Sequence, residues 1–424
     1  MKSLQIRYFF LLLLIVKSTS VLAQEELINE KFNQYSGTVV DFKTGNPLVF
    51  ASLIINNSNI SSITNTDGEF SLKVPENLSD ASLTINFLGY HKKVILLKDL
   101  QKVKNKIMLH ASVVKLSEVV VSVSKDAKSL VRATFKKKGE NCLNQQVKMT
   151  AFYRETIKKK KRNVSLSEAI VNIYKQPYTN SKRDHIKLLK ARKSTDYTRL
   201  DTVAVKLQGG PFNALYIDLM KYPQYLFTED SFDLYNYTFD ASTSIDNRPV
   251  FVVNFKQLTY IEEPLYYGKL FIDAESLALK SAVFHLNVSN KKLASELFVK
   301  KKPKDINVEP LSIAYRVDYL ERNSKWYYSY SNAQLTFKID KKNKWFDAVF
   351  TLKSEMAVTD WSIIDKKESL KFNERMSPSI IISDEASGFS DPKFWGAYNV
   401  IEPEKSIESA IKKIKRQLTK MNKN

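Results

Sequence analysis

Thr64-Asn65-Thr66-Asp67-Gly68-Glu69-Phe70-Ser71-Leu72-Lys73-Val74-Pro75 reads as a turn, a strand and a stop in succession. Asp67-Gly68 supplies the turn, because glycine takes positive φ without a Cβ penalty. Phe70, Leu72 and Val74 then alternate with polar Ser71 and Lys73, the period-two pattern of a strand with one buried face. Pro75 has no N–H for a ladder and ends it. The same alternation recurs on both sides. Upstream, Tyr35–Asp41 runs into the turn cluster Lys43-Thr44-Gly45-Asn46-Pro47, and Val49–Ile55 is broken by Asn56–Asn59. Downstream, Leu83, Ile85 and Phe87 alternate up to Gly89-Tyr90. Short strands separated by turns about every ten residues predict a small β-sandwich.

Taken in order, Ser36-Gly37-Thr38-Val39-Val40-Asp41, Gly45-Asn46-Pro47-Leu48, Ala51-Ser52-Leu53, Thr64 to Phe70 and Phe87-Leu88-Gly89-Tyr90 resemble the carboxypeptidase-regulatory-like domain. That resemblance implies a transthyretin-like, seven-stranded sandwich. Leu116-Ser117-Glu118-Val119-Val120-Val121 is similar to the segment that follows this module in outer-membrane transporters of the TonB-dependent kind. It implies a Gram-negative envelope protein and a fold, not an activity. A zinc carboxypeptidase needs His and Glu three apart with a further His. His91, His110, His185 and His285 each lack that Glu, so neither a metal nor another cofactor is expected.

The N-terminus predicts export. Lys2 and Arg7 precede the apolar run Tyr8–Val16, and Val21-Leu22-Ala23 offers a cleavage site before Gln24. The apolar run is too short for the roughly 20 residues of a membrane-spanning helix, and no Cys at the cut offers a lipid anchor. The net charge is +21, or +18 once Lys2, Arg7 and Lys17 leave with a signal peptide that holds no acid. Export removes nucleic acid as the partner for that charge. Basic runs such as Lys136–Lys138, Lys158–Arg162, Lys300–Lys302 and Lys341–Lys344 are either solvated turn tips or attraction to an anionic surface. Cys142 is the single cysteine, so packing rather than disulfides must hold the chain. Hydrophobic residues at 43% and aromatics at 12% suffice for that.

Beyond the sandwich, Ala127, Leu130, Val131, Thr134 and Phe135 recur at helical spacing, predicting a connecting helix that stops near Gly139. Hairpins follow: 147–157 with 164–174, 232–241 with 249–257, 266–273 with 277–288, 313–320 with 326–338, then a strand over 345–357. Short local turns predict an antiparallel meander. Leu215, Leu219 and Tyr222 at helical spacing predict a helix within Phe212–Leu226 over which it could curl. Tyr266-Tyr267-Gly268-Lys269-Leu270-Phe271-Ile272-Asp273 is similar to a hairpin of periplasmic lipoprotein-carrier half-barrels, which implies an apolar ligand in the hollow of the sheet. Tyr266, Phe271 and Trp326 are then candidate ligand contacts, with core filling as the alternative. Phe152-Tyr153-Arg154-Glu155, Ser167 to Tyr174 and Phe394-Trp395 through Pro403 resemble exported proteins of unassigned role that carry this same long region. Arg154, beside aromatics, is the fourth candidate contact; it stacks on a ring or meets a buried acid. Ser406–Leu418 is amphipathic, with Ile407, Ile411, Ile414 and Leu418 on one face.

The expected organisation is mainly β: signal peptide 1–23, sandwich 35–110, linker and helix 111–145, antiparallel meander or half-barrel domain 146–400, and amphipathic helix with basic tail 401–424. No Walker loop, G-x-S-x-G, H-E-x-x-H or G-x-G-x-x-G occurs, which argues against catalysis. Two readings result. The first is a non-catalytic exported adaptor that binds protein or glycan. The second is a periplasmic carrier of a lipid or other apolar ligand. The partners in view are an outer-membrane protein, an anionic membrane surface or an apolar ligand. A deep apolar groove between meander and helix would mark the carrier, and a filled interior with an exposed aromatic patch the adaptor. Converging acids or His in a closed cleft would point to a hydrolase instead.

Overall fold

A computed structural model describes residues 31–112, 126–160, 162–195, 207–228, 230–240, 243–245, 248–299, 304–341, 348–364, 370–386 and 394–404. The signal-peptide segment, the 116–121 run and the 406–418 stretch lie outside these residues. Among those described, seven strands form the N-terminal module: β1 (Phe32–Asp41), β2 (Ser52–Ile55), β3 (Ser61–Ile63), β4 (Glu69–Pro75), β5 (Ser82–Asn86), β6 (Lys93–Leu96) and β7 (Asn105–Leu109). They make two sheets, β4-β1-β7 and β3-β2-β5-β6. Inward positions of both sheets, including Val39, Leu53, Phe70, Leu72, Leu83 and Ile85, share one buried core. Gly68 takes φ +71°, as its turn requires, and a Cβ there would lie 2.8 Å from the Val39 carbonyl oxygen. The distant ends of the sequence signature meet at Asp41. Its carboxylate accepts from the Thr44 backbone and hydroxyl and from the Tyr90 hydroxyl at 2.7 Å. These bonds, that from the Thr44 backbone first, hold it down to about 2.

The second module is an antiparallel sheet of eleven described strands. They are β8 (Val147–Lys159), β9 (Arg162–Lys175), β10 (His185–Thr195), β11 (Tyr235–Phe239), β12 (Thr243–Ile245), β13 (Arg248–Gln257), β14 (Tyr266–Asp273), β15 (Leu279–Leu286), β16 (Ile306–Arg322), β17 (Lys325–Lys341) and β18 (Ala348–Ile363). The order is β10-β9-β8-β18-β17-β16-β15-β14-β13-β11, with β12 also on β13. Each expected hairpin forms. The last strand, β18, returns to pair with the first, β8, so both lie inside the sheet, with β10 and β9 on one side of them and the remaining strands on the other.

Alternation gives the sheet two different faces. Met149, Ala151, Tyr153, Val171, Ile173, Met356 and Val358 point to one side, where helix α1 (Ala127–Lys136) and the 211–232 segment pack on them. Phe152, Ile170, Tyr330 and Ala357 point to the other, against Ile63 and Phe50 of the sandwich and Trp395 and Ile401 near the C-terminus. The first face is filled with large side chains of the covering segment, including Phe212, Leu215, Leu219, Tyr222, Phe227 and Phe232.

Two expected helices are shorter than their spacing suggested. Over 212–226 only α3 (Pro211–Leu215) is α-helical; α2 is the turn Lys138–Asn141. Pro223 bars α geometry from Tyr222, which sits at φ −121° and ψ 56°. Asp218 is drawn into a buried ion pair instead of continuing the helix. The connecting helix breaks at Lys137 (φ −78°, ψ 4°), and Gly139, the expected stop, lies inside α2. Strand β10 was not anticipated. Its run of Lys187, Lys190, Arg192 and Lys193 disguises it as a solvated loop.

Candidate functional site

The junction between the modules is built around Arg154. Residues on facing strands at the same register point to one side, so Arg154 of β8 lies beside Glu168 of β9 and Glu355 of β18. Its guanidinium meets Glu168 at 2.7 Å and Glu355 at 3.4 Å, lies 5.0 Å from the Phe152 ring centroid, and is 2% exposed. The sequence left stacking or a buried acid open; both occur. Burial alone would lower the guanidinium pKa, but Glu168 and then Glu355 outweigh it and hold it above its ordinary value. Arg192 of β10 closes the group from the far side of Glu168, at 2.7 Å.

These charges clasp a strap, residues 394–404. Arg154 donates to the Ile401 carbonyl at 2.7 Å and to that of Glu402 at 3.3 Å. Arg192 lies 4.6 Å from the Trp395 ring centroid, and Trp395 meets Phe152 edge-on at 5.8 Å. The strap's other side holds the sandwich. The Asn399 amide accepts from Lys73 N at 2.7 Å and donates to Lys73 O at 2.9 Å, reading the main chain of edge strand β4. Asn65 donates to Glu402 O at 3.3 Å. The sandwich also touches the sheet directly, since Ser61 donates to the Val358 carbonyl at 3.0 Å.

Beside this clasp the modules part to leave a cleft of about 280 Å³. One wall is the outer face of the sandwich: Ser52, Ile54, Thr84 and Asn86 alternate with the buried Leu53, Ile55, Leu83 and Ile85. The other comes from β15, β16 and β17, with Ser281, Arg316, Asp318, Trp326 and Ser329. Phe50 and Tyr330 line it too, their ring centroids 5.0 Å apart. Phe50 sits at φ +65°, a conformation that costs a β-carbon residue about 1 kcal/mol. Its ring lies between Arg316 at 5.4 Å and Lys353 at 5.5 Å. Four cations (Lys92, Arg248, Lys280 and Arg316) line the cleft against two carboxylates, Asp318 and Glu321. Arg316 pairs with Asp318 at 2.7 Å, and Arg248 with Glu321. The lining is therefore mixed, with aromatic and aliphatic side chains such as Phe50, Ile54 and Leu320 beside the polar ones, and it carries a positive excess.

Other buried polar groups serve the fold. Lys175 is 1% exposed and meets Asp184 and Asp218 at 2.7 Å each, beneath the rings of Tyr178 and Tyr222. Burial opposes its charge; Asp184 and then Asp218 outweigh that and raise its pKa. Glu155 has a hydrogen bond from Tyr153 at 2.9 Å and no ion pair among the described residues, and burial pushes it up to about 7. Burial likewise pushes the Cys142 thiol up to about 12, with Asp218 adding to it, leaving an inert thiol. Among the described residues, no group of three His, Cys, Asp or Glu could hold a metal ion, and no helix is long and apolar enough to cross a membrane.

Of the four residues singled out from sequence, Trp326 alone lines the cleft. It is 4% exposed, with Lys280 5.3 Å and Arg248 5.7 Å from its ring centroid. Arg154 belongs to the clasp. Tyr266 packs edge-on against Phe284 at 5.7 Å and Tyr315 at 6.1 Å. Phe271 is half-buried on the face of β14 opposite Leu270 and Ile272. Sequence reasoning passed over Phe50 and Arg316, and took in Asn399 only as part of the 394–403 stretch. Phe50 lies just past the turn cluster, and nothing in its spacing marks a positive φ.

Compared with known families, residues 35–121 match the model of the CarboxypepD_reg-like domain. A search of curated proteins found no match. Among solved structures, the chain is similar to a DUF1329 family protein from Desulfovibrio piger, with 9% identity over 57% of this chain and 95% of that one and a TM-score of 0.23. It is similar also to lipovitellin, in a structure describing lipid–protein interactions, with 8% identity over 55% and 27% and a TM-score of 0.27. A third is the S-type phycobiliprotein lyase CPES from Guillardia theta, with 8% identity over 60% and 100% and a TM-score of 0.16. Likeness at these scores carries no functional argument.

Proposed function

We propose, taking the CarboxypepD_reg-like domain at residues 35–121 as premise, that the protein is a non-catalytic binding protein of the bacterial envelope. It takes a segment of a partner protein or a glycan into the cleft between its two modules, and the sandwich acts as adaptor. The observation that carries this reading is the cleft itself, to which both modules give polar and aromatic side chains. Aromatic faces with planar polar groups beside them suit sugars and peptides, since rings give contact area at low entropy cost while Asn and Arg fix orientation. The carrier reading needs an apolar hollow in the sheet, and that face is packed with the 211–232 segment. The apolar start of the chain supports the envelope location.

A photo-crosslinking residue at Leu88, on the cleft wall, tests this in the native envelope. A defined protein or glycan adduct is expected there and not from Phe372, which is 85% exposed. Identical adducts from both positions, or none at Leu88, overturn the reading. Lipid adducts at Leu88 would transfer it to the carrier.

A further inference from the structure

We propose that the loop joining β9 to β10 builds a second binding site, for a phosphate group. Residues 179–183 border an open cavity of about 560 Å³ to which Lys138, Lys182, Arg183 and Lys221 contribute and no Asp or Glu does. This cavity shares no lining residue with the cleft between the modules, so the inference stands apart from the function proposed above.

A cationic loop is ordinarily a poor site, because fixing it on a ligand costs entropy. This loop is already fixed. Lys221, 7% exposed, directs its ammonium at the Pro177 carbonyl (2.7 Å), the Asn180 carbonyl (2.8 Å) and the Asn180 side-chain oxygen (3.2 Å). That same Asn180 oxygen accepts from Lys182 N at 3.1 Å. At the loop's far end Asp184 is held by Lys175 at 2.7 Å and by the Tyr222 hydroxyl at 2.8 Å. Gly139 lets the Lys138 turn close against the loop: a Cβ there would stand 3.1 Å from Thr179 Cγ2. Lys221 thus spends its hydrogen bonds on the loop and lends only its charge. Lys182 and Arg183 stand exposed beside the half-buried Lys138.

The chemistry follows from that inventory. Arg183 offers the planar fork that meets two phosphate oxygens at once, and the lysines offer point charges. Several cations with no carboxylate among them suit a doubly charged phosphate better than a single carboxylate. Such a group could belong to a lipid headgroup or to a soluble phosphate ester, and the test separates them.

The probes are inorganic pyrophosphate, titrated calorimetrically into the full chain, and vesicles of phosphatidic acid, whose headgroup is a phosphomonoester, in phosphatidylcholine, read by co-sedimentation. The variant is K182E/R183E, and the control is K98E/K106E, the same charge change at exposed positions of the sandwich. Each basic side chain near an anionic surface is worth roughly fivefold in affinity, so the site variant should lose about 25-fold or more. K182Q/R183Q should lose less than the charge reversal. Saturable pyrophosphate binding identifies a soluble ester; binding to anionic vesicles alone identifies a headgroup. Binding to neither probe, or an equal loss in K98E/K106E, overturns the proposal.

Discussion

Replacing Arg154 by Met separates a structural clasp from a ligand contact. The substitution keeps most of the side-chain volume and removes the guanidinium. Glu168 and Glu355, with side chains 1% and 3% exposed, would then face each other without the cation between them. Breaking a buried pair by removing one partner costs about 3–5 kcal/mol, most of it the penalty on the charge left behind. Two features pull toward the lower end: Arg192 stays on Glu168 at 2.7 Å and Lys353 on Glu355 at 3.2 Å. One pulls the other way, because the Ile401 carbonyl loses its 2.7 Å donor, worth about 1 kcal/mol. The net expectation is a loss of about 4 kcal/mol, concentrated where the strap docks. Hydrogen exchange reads it locally: amides of 394–404 and of β4 should lose protection, while those of the sandwich core keep theirs. Replacing both acids as well, in Arg154→Met/Glu168→Gln/Glu355→Gln, should recover over half of the loss, since the orphaned charges go with it. A loss under about 1 kcal/mol, or unchanged protection of the strap, would refute the clasp.

Glu155 predicts a pH dependence. Burial raises its carboxyl from 4.5 to about 7, so between those values the folded chain keeps a proton that the unfolded chain has released. Stability therefore falls as pH rises through that window, by up to about 3 kcal/mol from this group. Glu155→Gln should abolish that slope, and parallel denaturation profiles for the two proteins across the window would sink the assignment. Gly268→Ala tests the sheet, because the added Cβ would lie 2.2 Å from the Val283 carbonyl oxygen on the paired strand. Overpacking of that kind should cost at least about 2 kcal/mol; an unaltered thermal midpoint would show that β14 and β15 do not approach so closely.

The sandwich was legible because its determinants are local. Gly68 needs positive φ, Phe70, Leu72 and Val74 alternate, and Pro75 ends the strand. Each statement concerns neighbours in the chain, and the structure keeps all of them. The hairpins of the large sheet were legible for the same reason. What escaped depends on partners far away. The charged stretch with Lys187, Arg192 and Lys193 drew no reading from the sequence, yet Lys187 meets Glu374 at 2.5 Å, Arg192 meets Glu168, and Lys193 donates to the Ser383 carbonyl. The strand itself is defined by its antiparallel ladder with β9, a pairing that these contacts accompany. The pairing of β8 with β18 joins Arg154 to a residue about two hundred positions away, and no periodicity encodes such a register. Helical spacing over 212–226 misled because Leu215, Leu219 and Tyr222 do all reach the core, but through turns that Pro223 and the Asp218 ion pair impose.

The way the sheet spends its two faces explains why the candidate ligand site lies at a junction. One face is packed by segments close to the strands in sequence, leaving no hollow of the carrier kind among the described residues. The other receives a separate module, and the contact it makes is mixed: an apolar cluster that includes Ile63, Phe152, Tyr330 and Trp395 lies beside buried charges and a strap read through Asn399. Interfaces between domains are commonly of this mixed character, and by default they permit relative motion. Buried ion pairs add little net stability over apolar packing, so their use here is better explained by the arrangement they fix than by the energy they supply. Arg154 can satisfy Glu168, Glu355 and the Ile401 carbonyl together only when β8, β9, β18 and the strap share one register, and Asn399 of the strap carries that arrangement to β4 of the sandwich. A clasp that accepts a single arrangement holds the walls of the neighbouring cleft at a set spacing before any ligand arrives. For the binding function proposed above, that removes the ordering cost that a hinge between the modules would add.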